Sequence, residues 1–245
     1  MTIHSQLYML FDKPPTSIIT FLEYLAQAYD LPNSLDFLDV GCGPGRILQP
    51  CADLGWQVTG LEPDTHYCTE AQQHHIQSTS ITIQQGGFDD ISAQQSFDFI
   101  AAVNAPFGYL LTPAARQNAL ERIFRALKPG GIVFLDVFNF LWILRYFRAP
   151  QPSIVTTDDG AIIRRVIHHD IDWHDSTFTH TDTFYRNDEH LSTQAHRMAI
   201  ITPREMTCGL EEAGFREIRT YNNYAARRHQ RINKDRIMVS AQKPI

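Results

Sequence analysis

The stretch Leu38-Asp39-Val40-Gly41-Cys42-Gly43-Pro44-Gly45-Arg46 constrains the fold more than any other in this 245-residue chain. An apolar run from position 35 ends in three glycines separated by single residues, and an apolar, helix-like segment follows. A strand that enters a glycine turn and leaves as a helix is built to hold a nucleotide. Glycine lets backbone approach a ligand, and a helix N-terminus offers unpaired N–H groups. The dinucleotide fingerprint is G-x-G-x-x-G. Here the spacing is G-x-G-x-G, and Arg46 stands where the third glycine of that fingerprint would fall.

The remaining pattern alternates helix and strand. Apolar residues at Ile18, Phe21, Leu22, Leu25 and Ala28 predict a helix over 17–29, begun by Pro14-Pro15. Strands are expected at 36–40, 57–61, 81–85, 97–103 and 132–138, and helices at 46–54, 65–75 and 113–127. Such alternation implies a parallel sheet with right-handed crossovers. From about 154 to 201 the period changes to polar-apolar alternation, with three strands expected at 161–173, 177–186 and 191–201. Turns near Asp175-Ser176 and Asn187-Asp188 make this an antiparallel insertion. A helix over 203–213 and strands over 215–221 and 236–241 close the chain. The domain reading is a core of 1–150 and 203–245 with the insertion at 151–202.

Glu62 ends the second strand, where an acid can accept both ribose hydroxyls. The alternative is a helix N-terminal charge, since Glu62-Pro63-Asp64 precedes a helix. Leu127-Lys128-Pro129-Gly130-Gly131, Glu211-Glu212-Ala213-Gly214-Phe215 and Phe97-Asp98-Phe99-Ile100, taken with the glycine loop and Glu62, resemble the motifs of the class I S-adenosylmethionine-dependent methyltransferases. The resemblance covers about 36–138 and 203–241. It implies a Rossmann-like α/β fold: a seven-stranded sheet with an antiparallel last strand, helices on both faces and, here, an antiparallel β insertion. It also implies S-adenosyl-L-methionine as cofactor. Asp39, Gly41, Gly43, Gly45 and Arg46 would surround its amino-acid end, Glu62 and Pro63 its ribose, and Phe88 and Asp89 its adenine. Gly87 departs from the family's Gly-Asp at the end of the third strand, which leaves Asp89 or Asp90 as substitutes.

Methyl transfer from a sulfonium needs alignment more than a fixed catalytic signature, with a base only where the nucleophile arrives protonated. Asn104, in the loop after the fourth strand, is placed at the cofactor's methionine end or the substrate. Tyr109 resembles an aromatic or His position near the methyl group in related small-molecule enzymes, and Tyr8 resembles a tyrosine that covers the cofactor. Packing roles are the alternative for both. His196, in Ala195-His196-Arg197-Met198, is a candidate base, with a solvated strand face as the alternative. His168, Asp170, Asp172 and His174 share one strand face and His169 the other, but the spacing matches no established ligand motif, and no metal is assigned.

A formal charge of −6 with 43% hydrophobic residues argues against nucleic acid as the default partner, and the one basic cluster, Arg227-Arg228-His229-Gln230-Arg231 with Lys234 and Arg236, reads as a solvated loop before the last strand, with phosphate contact as the alternative. No apolar run is long enough to span a bilayer and no secretory signal is evident, so a cytoplasmic location is expected. Cys42, Cys51, Cys68 and Cys208 fit neither a zinc site nor a disulfide framework. The expected activity is methyl transfer to a nitrogen or oxygen of a small molecule, with the insertion as substrate lid or homodimer contact. The rivals are a catalytically silent S-adenosylmethionine-binding protein, an NAD(P)-dependent oxidoreductase and an RNA methyltransferase.

Overall fold

The computed structural model describes Leu7, Leu10, Phe11 and residues 14–146 and 152–245. Its first strand, β1 (Asp36–Val40), is buried at four of its five residues, as its unbroken apolar character requires. It pairs in parallel with β2 (Gln57–Glu62) on one side and β4 (Phe97–Ala102) on the other. Adding β3 (Ile81–Gln85), β5 (Leu127–Phe138), β10 (Arg216–Tyr221) and β11 (Arg236–Gln242) gives a seven-stranded sheet ordered β10-β11-β5-β4-β1-β2-β3. Strand β11 runs antiparallel to both neighbours. This is the sheet that the family resemblance implied. The order reverses between β1 and β4, so their carboxyl ends flank the switch point where open α/β sheets hold ligands.

Strand periodicity sorts the core into two layers. Leu38, Val40, Ile100, Ala102, Val133 and Leu135 face one side. They pack against α4 (Pro113–Ala126) and α6 (Pro203–Glu212). Phe37, Phe99, Ala101, Ile132 and Phe134 face the other, under Phe21, Leu22 and Leu25 of α1 (Thr16–Ala28). The helices α2 (Leu48–Asp53) and α3 (Thr65–His74) follow β1 and β2, and α5 (Phe140–Tyr146) follows β5. Asp64 caps α3 by accepting from the N–H groups of His66 and Tyr67.

The insertion forms four strands, β6 (Ser153–Thr156), β7 (Ile162–Asp172), β8 (Thr177–Arg186) and β9 (Glu189–Ala199), in an antiparallel sheet of that order. Three strands were expected, and the fourth residue run, β6, is too short to show alternation. Asn187 and Asp188 both have positive φ, 48° and 68°, the two-residue turn that matches strand twist in a hairpin. The helix expected from Arg46 starts at Leu48 instead, because the glycine turn extends through Ile47. Strand β5 begins five residues earlier than expected, since Leu127 already pairs with Phe97.

Beyond the sheet, one polar cluster ties the carboxyl edge together. Asp136 on β5 is fully buried, and its carboxylate accepts from Arg236 Nε at 2.7 Å and Nη2 at 2.6 Å across to β11. The Tyr224 hydroxyl also donates to it. Burial and the adjacent Asp136 charge raise the Tyr224 phenol well above its usual range, so it stays an O–H donor. Removing one member of a buried pair leaves the other charge uncompensated. Asp136→Ala is expected to cost about 3–5 kcal/mol in urea denaturation. The double variant Asp136→Leu/Arg236→Met is expected to lose less than the single one, because it strands no charge. A double variant less stable than Asp136→Ala would refute this account.

Candidate functional site

The glycine loop meets the residues 104–109 turn over the carboxyl ends of β1 and β4. Gly41 has φ +78°, and a Cβ there would come within 2.5 Å of Pro106 Cβ. Gly45 has φ +86°, and a Cβ there would meet the His75 ring at 2.8 Å. Each position therefore needs glycine for both conformation and space. His75 Nε2 also lies 3.2 Å from the Gly45 carbonyl.

Four of the loop's N–H groups are spent internally. Those of Gly41 and Cys42 donate to the Leu61 carbonyl at 2.7 and 3.2 Å. Gly45 donates to the Cys42 carbonyl, and Gly43 to Glu62 Oε2 at 2.7 Å. A pyrophosphate cradle needs such groups aimed at the ligand. Glu62 is 6% exposed, and its other oxygen accepts from the Asp64 N–H at 2.9 Å. Burial raises its pKa above the ordinary carboxylate value despite these two bonds. Asp39 is 3% exposed, and its Oδ1 has no hydrogen-bond partner. Burial, and secondarily the charge of Glu62, push it up to about 8. Two neighbouring carboxylates, one with an orphaned oxygen, suit a ligand rich in donors or positive charge and oppose a phosphate. Ribose hydroxyls and an α-ammonium group fit them, as the amino-acid and ribose parts of S-adenosylmethionine require.

Past the third strand, Asp89 and Asp90 both have local partners. Asp90 Oδ2 accepts from the Gly87 N–H at 2.8 Å, and Asp89 Oδ1 accepts from Asn118 at 2.9 Å. Each carboxylate thus has one oxygen bonded within the protein. Phe88 is buried, edge-on to Phe107. Pro63 is exposed beside Glu62, and Arg46 is half-buried in the turn before α2.

Asn104 and Ala105 have φ values of 65° and 71°, an uncommon left-handed pair. Strain of this kind persists where surroundings over-determine it. Here the Ala105 N–H donates to the Asp136 carbonyl at 2.9 Å, and Pro106 abuts Gly41. Asn104 is exposed at the edge. The turn delivers Tyr109, whose hydroxyl lies 2.7 Å from Nδ1 of His196 on β9. The ring is half exposed. Desolvation, then the fields of Tyr67, Glu62 and Asp182, push the phenol up to about 12. The structure thus brings Tyr109 and His196 together, and Tyr8 lies outside the described residues.

Several polar residues that sequence reasoning passed over sit on the same face as His196. His169 Nε2 is 2.7 Å from His180 Nδ1, and His180 Nε2 is 3.0 Å from the fully buried Asp182. Arg165 Nε donates to Asp182 at 2.7 Å. The available signal was the alternation Phe178, His180, Asp182, Phe184, a polar pair inside an apolar stripe. His168, Asp170 and Asp172 are exposed on the other face, and among the described residues no group of three or more His, Cys, Asp or Glu could hold a metal. The basic cluster is dispersed: Arg227 donates to the Tyr224 and Ala226 carbonyls, and His229 accepts from the Thr220 N–H. No helix among the described residues is long and apolar enough to cross a membrane.

Residues 37–131 match the family model of a methyltransferase domain. A ubiquinone biosynthesis O-methyltransferase of Xanthomonas oryzae pv. oryzae is 31% identical over 121 residues, 48% of each chain. The chain spans about half the length of the curated relatives it matches. Among solved structures, CalS10 of Micromonospora echinaspora, an amino pentose methyltransferase solved with S-adenosylmethionine bound, superposes with TM-score 0.76 at 18% identity, covering 99% of this chain and 97% of that one. The sugar N-methyltransferase KedS8 of Streptoalloteichus sp ATCC 53650 gives 0.77 at 15% identity, covering 100% and 94%. At such identities the structural likeness is one of fold. The matched domain, the sheet order with its antiparallel strand and the carboxylate-flanked glycine loop agree: residues 37–131 carry a methyltransferase domain, and the fold is one shared with S-adenosylmethionine-dependent methyltransferases.

Proposed function

We propose that the chain transfers a methyl group from S-adenosylmethionine to an amine or hydroxyl of a small polar molecule, which enters between the insertion and the carboxyl edge of the large sheet. The observation that carries this reading is the Tyr109–His196 hydrogen bond, which joins the turn beside the glycine loop to β9 of the insertion. The names of the similar proteins support both acceptor types: an O-methyltransferase by sequence, an amino pentose methyltransferase and a sugar N-methyltransferase by fold. In this reading residues 1–150 and 203–245 hold the cofactor and 151–202 cover the acceptor.

The cofactor supplies a methyl group already activated on a sulfonium. Asp39, Glu62 and the loop at Gly41, Gly43 and Gly45 hold its amino-acid and ribose parts, with Arg46, Pro63 and Asn104 at the rim and Phe88 and Asp89 toward the adenine. Tyr109 and His196 act on the acceptor. Tyr109 keeps its proton at neutral pH and offers it to His196 Nδ1. As the acceptor's nitrogen or oxygen gains the methyl group, its proton passes to the Tyr109 oxygen while the Tyr109 proton passes to His196. The tyrosine ends neutral and the imidazole ends as the cation.

Tyr109→Phe and His196→Asn are each expected to lower kcat about 10²-fold, the lower end of general-base contributions. The double variant should fall little further, because the two act as one unit. Calorimetry with S-adenosylhomocysteine should show unchanged affinity in all three. Independent, multiplicative losses would break the pair apart.

Asp39 provides a second test. At pH 7 its carboxyl, raised to about 8, is mostly protonated, and an arriving ammonium group favours the carboxylate. S-adenosylhomocysteine binding should therefore release a proton at pH 7, measured from buffer-dependent enthalpies, and Asp39→Asn should abolish the release. The same shift fixes the sign for stability. A raised folded-state value contributes stability below the unfolded carboxylate's titration, and that stability is lost as pH rises through about 8. Asp39→Asn should thus raise Tm at pH 8 more than at pH 4. An equal effect at both would contradict the burial argument.

A further inference from the structure

Helix α3 brackets the glycine loop. Glu62, two residues before the helix N-cap Asp64, accepts the Gly43 N–H at 2.7 Å. His75, the C-cap, returns its ring to the same loop, and its Nε2 lies 3.2 Å from the Gly45 carbonyl oxygen. A carbonyl offers only lone pairs, so Nε2 carries the proton and donates. The Nε2–H tautomer and the imidazolium both meet this need. The Leu48 N–H takes the second lone pair of that carbonyl at 3.1 Å. The loop is thus held at one N–H by the acid before α3 and at one carbonyl by the imidazole after it.

The ring is also packed onto the loop. A Cβ at Gly45 would stand 2.8 Å from His75 Nε2, 3.1 Å from its Cδ2 and 3.2 Å from Leu48 Cδ1. His75 fills the space that a side chain at position 45 would take. A second support comes from β2, where a Cβ at Gly60 would stand 2.8 Å from Cys42 Sγ and 3.0 Å from Leu48 Cδ1. Apolar contact of that kind seats the loop without fixing any one peptide plane. Gly45 has no Cβ to restrict it, and glycine samples both hands of the backbone readily. Its peptide to Arg46 is trans and planar, so the Gly45 carbonyl and the Arg46 N–H point opposite ways. Turning the carbonyl to His75 turns that N–H away from the ring.

Resting on the placement of the cofactor's amino-acid end at this loop in the reading above, we infer that His75 is a positioning residue for S-adenosylmethionine. Through the Gly45 carbonyl it holds the loop in the shape that receives the amino-acid end, and it does so from outside the cofactor site. A loop that is already ordered takes less of the ligand's binding free energy to order. Without the clamp, the Gly45 peptide must be ordered by the cofactor itself. The cost then falls on the ligand groups that the loop surrounds. The adenosine end, beyond Glu62 toward Phe88, does not depend on it.

The test is calorimetry on the full chain with two probes. S-adenosylhomocysteine carries the amino-acid end, and 5′-methylthioadenosine keeps the adenosine and the sulfur but lacks that end. His75→Leu removes the donor and keeps an apolar side chain against Gly45. It should weaken S-adenosylhomocysteine about tenfold, the worth of one hydrogen bond, and leave 5′-methylthioadenosine within about twofold. His75→Gln carries an N–H donor at similar reach and should restore S-adenosylhomocysteine affinity to within about threefold of the unmodified protein. A structural fault in His75→Leu would weaken both probes and would not be repaired by glutamine. Equal losses for the two probes, unchanged S-adenosylhomocysteine affinity in His75→Leu, or a His75→Gln variant no better than His75→Leu would overturn the assignment. Failure of the cofactor reading itself is separately visible, as absence of S-adenosylhomocysteine binding to the unmodified protein.

Discussion

Asp136 and Arg236 form the interaction on which the geometry of the carboxyl edge depends. The pair crosses from β5 to the antiparallel β11, and both of its charges are largely removed from water. Its strength lies less in net stability than in placement, since buried pairs return little beyond their desolvation. The carbonyl of Asp136 holds Ala105 in a left-handed conformation, and that conformation turns Pro106 against Gly41 and sends Tyr109 toward β9. A residue on the core strand thus sets the relation between the glycine loop and the insertion.

The glycine loop shows how similar outlines can serve different ligands. Both dinucleotide sites and this one place glycines between a strand and a helix. The distinguishing feature is where the backbone donors point. With the N–H groups at 41, 42, 43 and 45 bonded within the protein, the loop has little to offer a phosphate. Its flanking carboxyl groups, Asp39 and Glu62, have pKa values raised by burial, which a cation or a set of hydroxyl donors would relieve.

Much of the large sheet was legible because its strands are buried on both faces and its turns carry glycine and proline at fixed places. The short pieces were not. Residues 153–156 are too few to display a period, and α5 has only seven residues. At the candidate site, motif and position singled out Asp39, Glu62, Tyr109 and His196, and the structure joins Tyr109 to His196. The Asp89 and Asp90 alternatives were open in sequence, and the structure ties both to local partners, Asn118 and the Gly87 N–H. Arg236 read as part of a solvated basic cluster. Its partner Asp136 lies 100 residues away, beyond the reach of any local pattern.

The insertion follows the same logic in reverse. Period-2 alternation predicts which residues share a face but not which face meets the core, so the sequence assigned no role to His169, His180 or Asp182. Packing decides it: Phe178 stacks on Phe140 with ring centroids 4.6 Å apart, and this fixes every second residue of β8 inward. Once Phe178 and Phe184 point inward, His180 and Asp182 must do so as well. A carboxylate carried into that position by register needs a cation and a donor within reach, and Arg165 and His180 supply them. The apolar anchors therefore dictate the inward orientation of the polar row, and the ion pair with Arg165 makes that orientation tolerable.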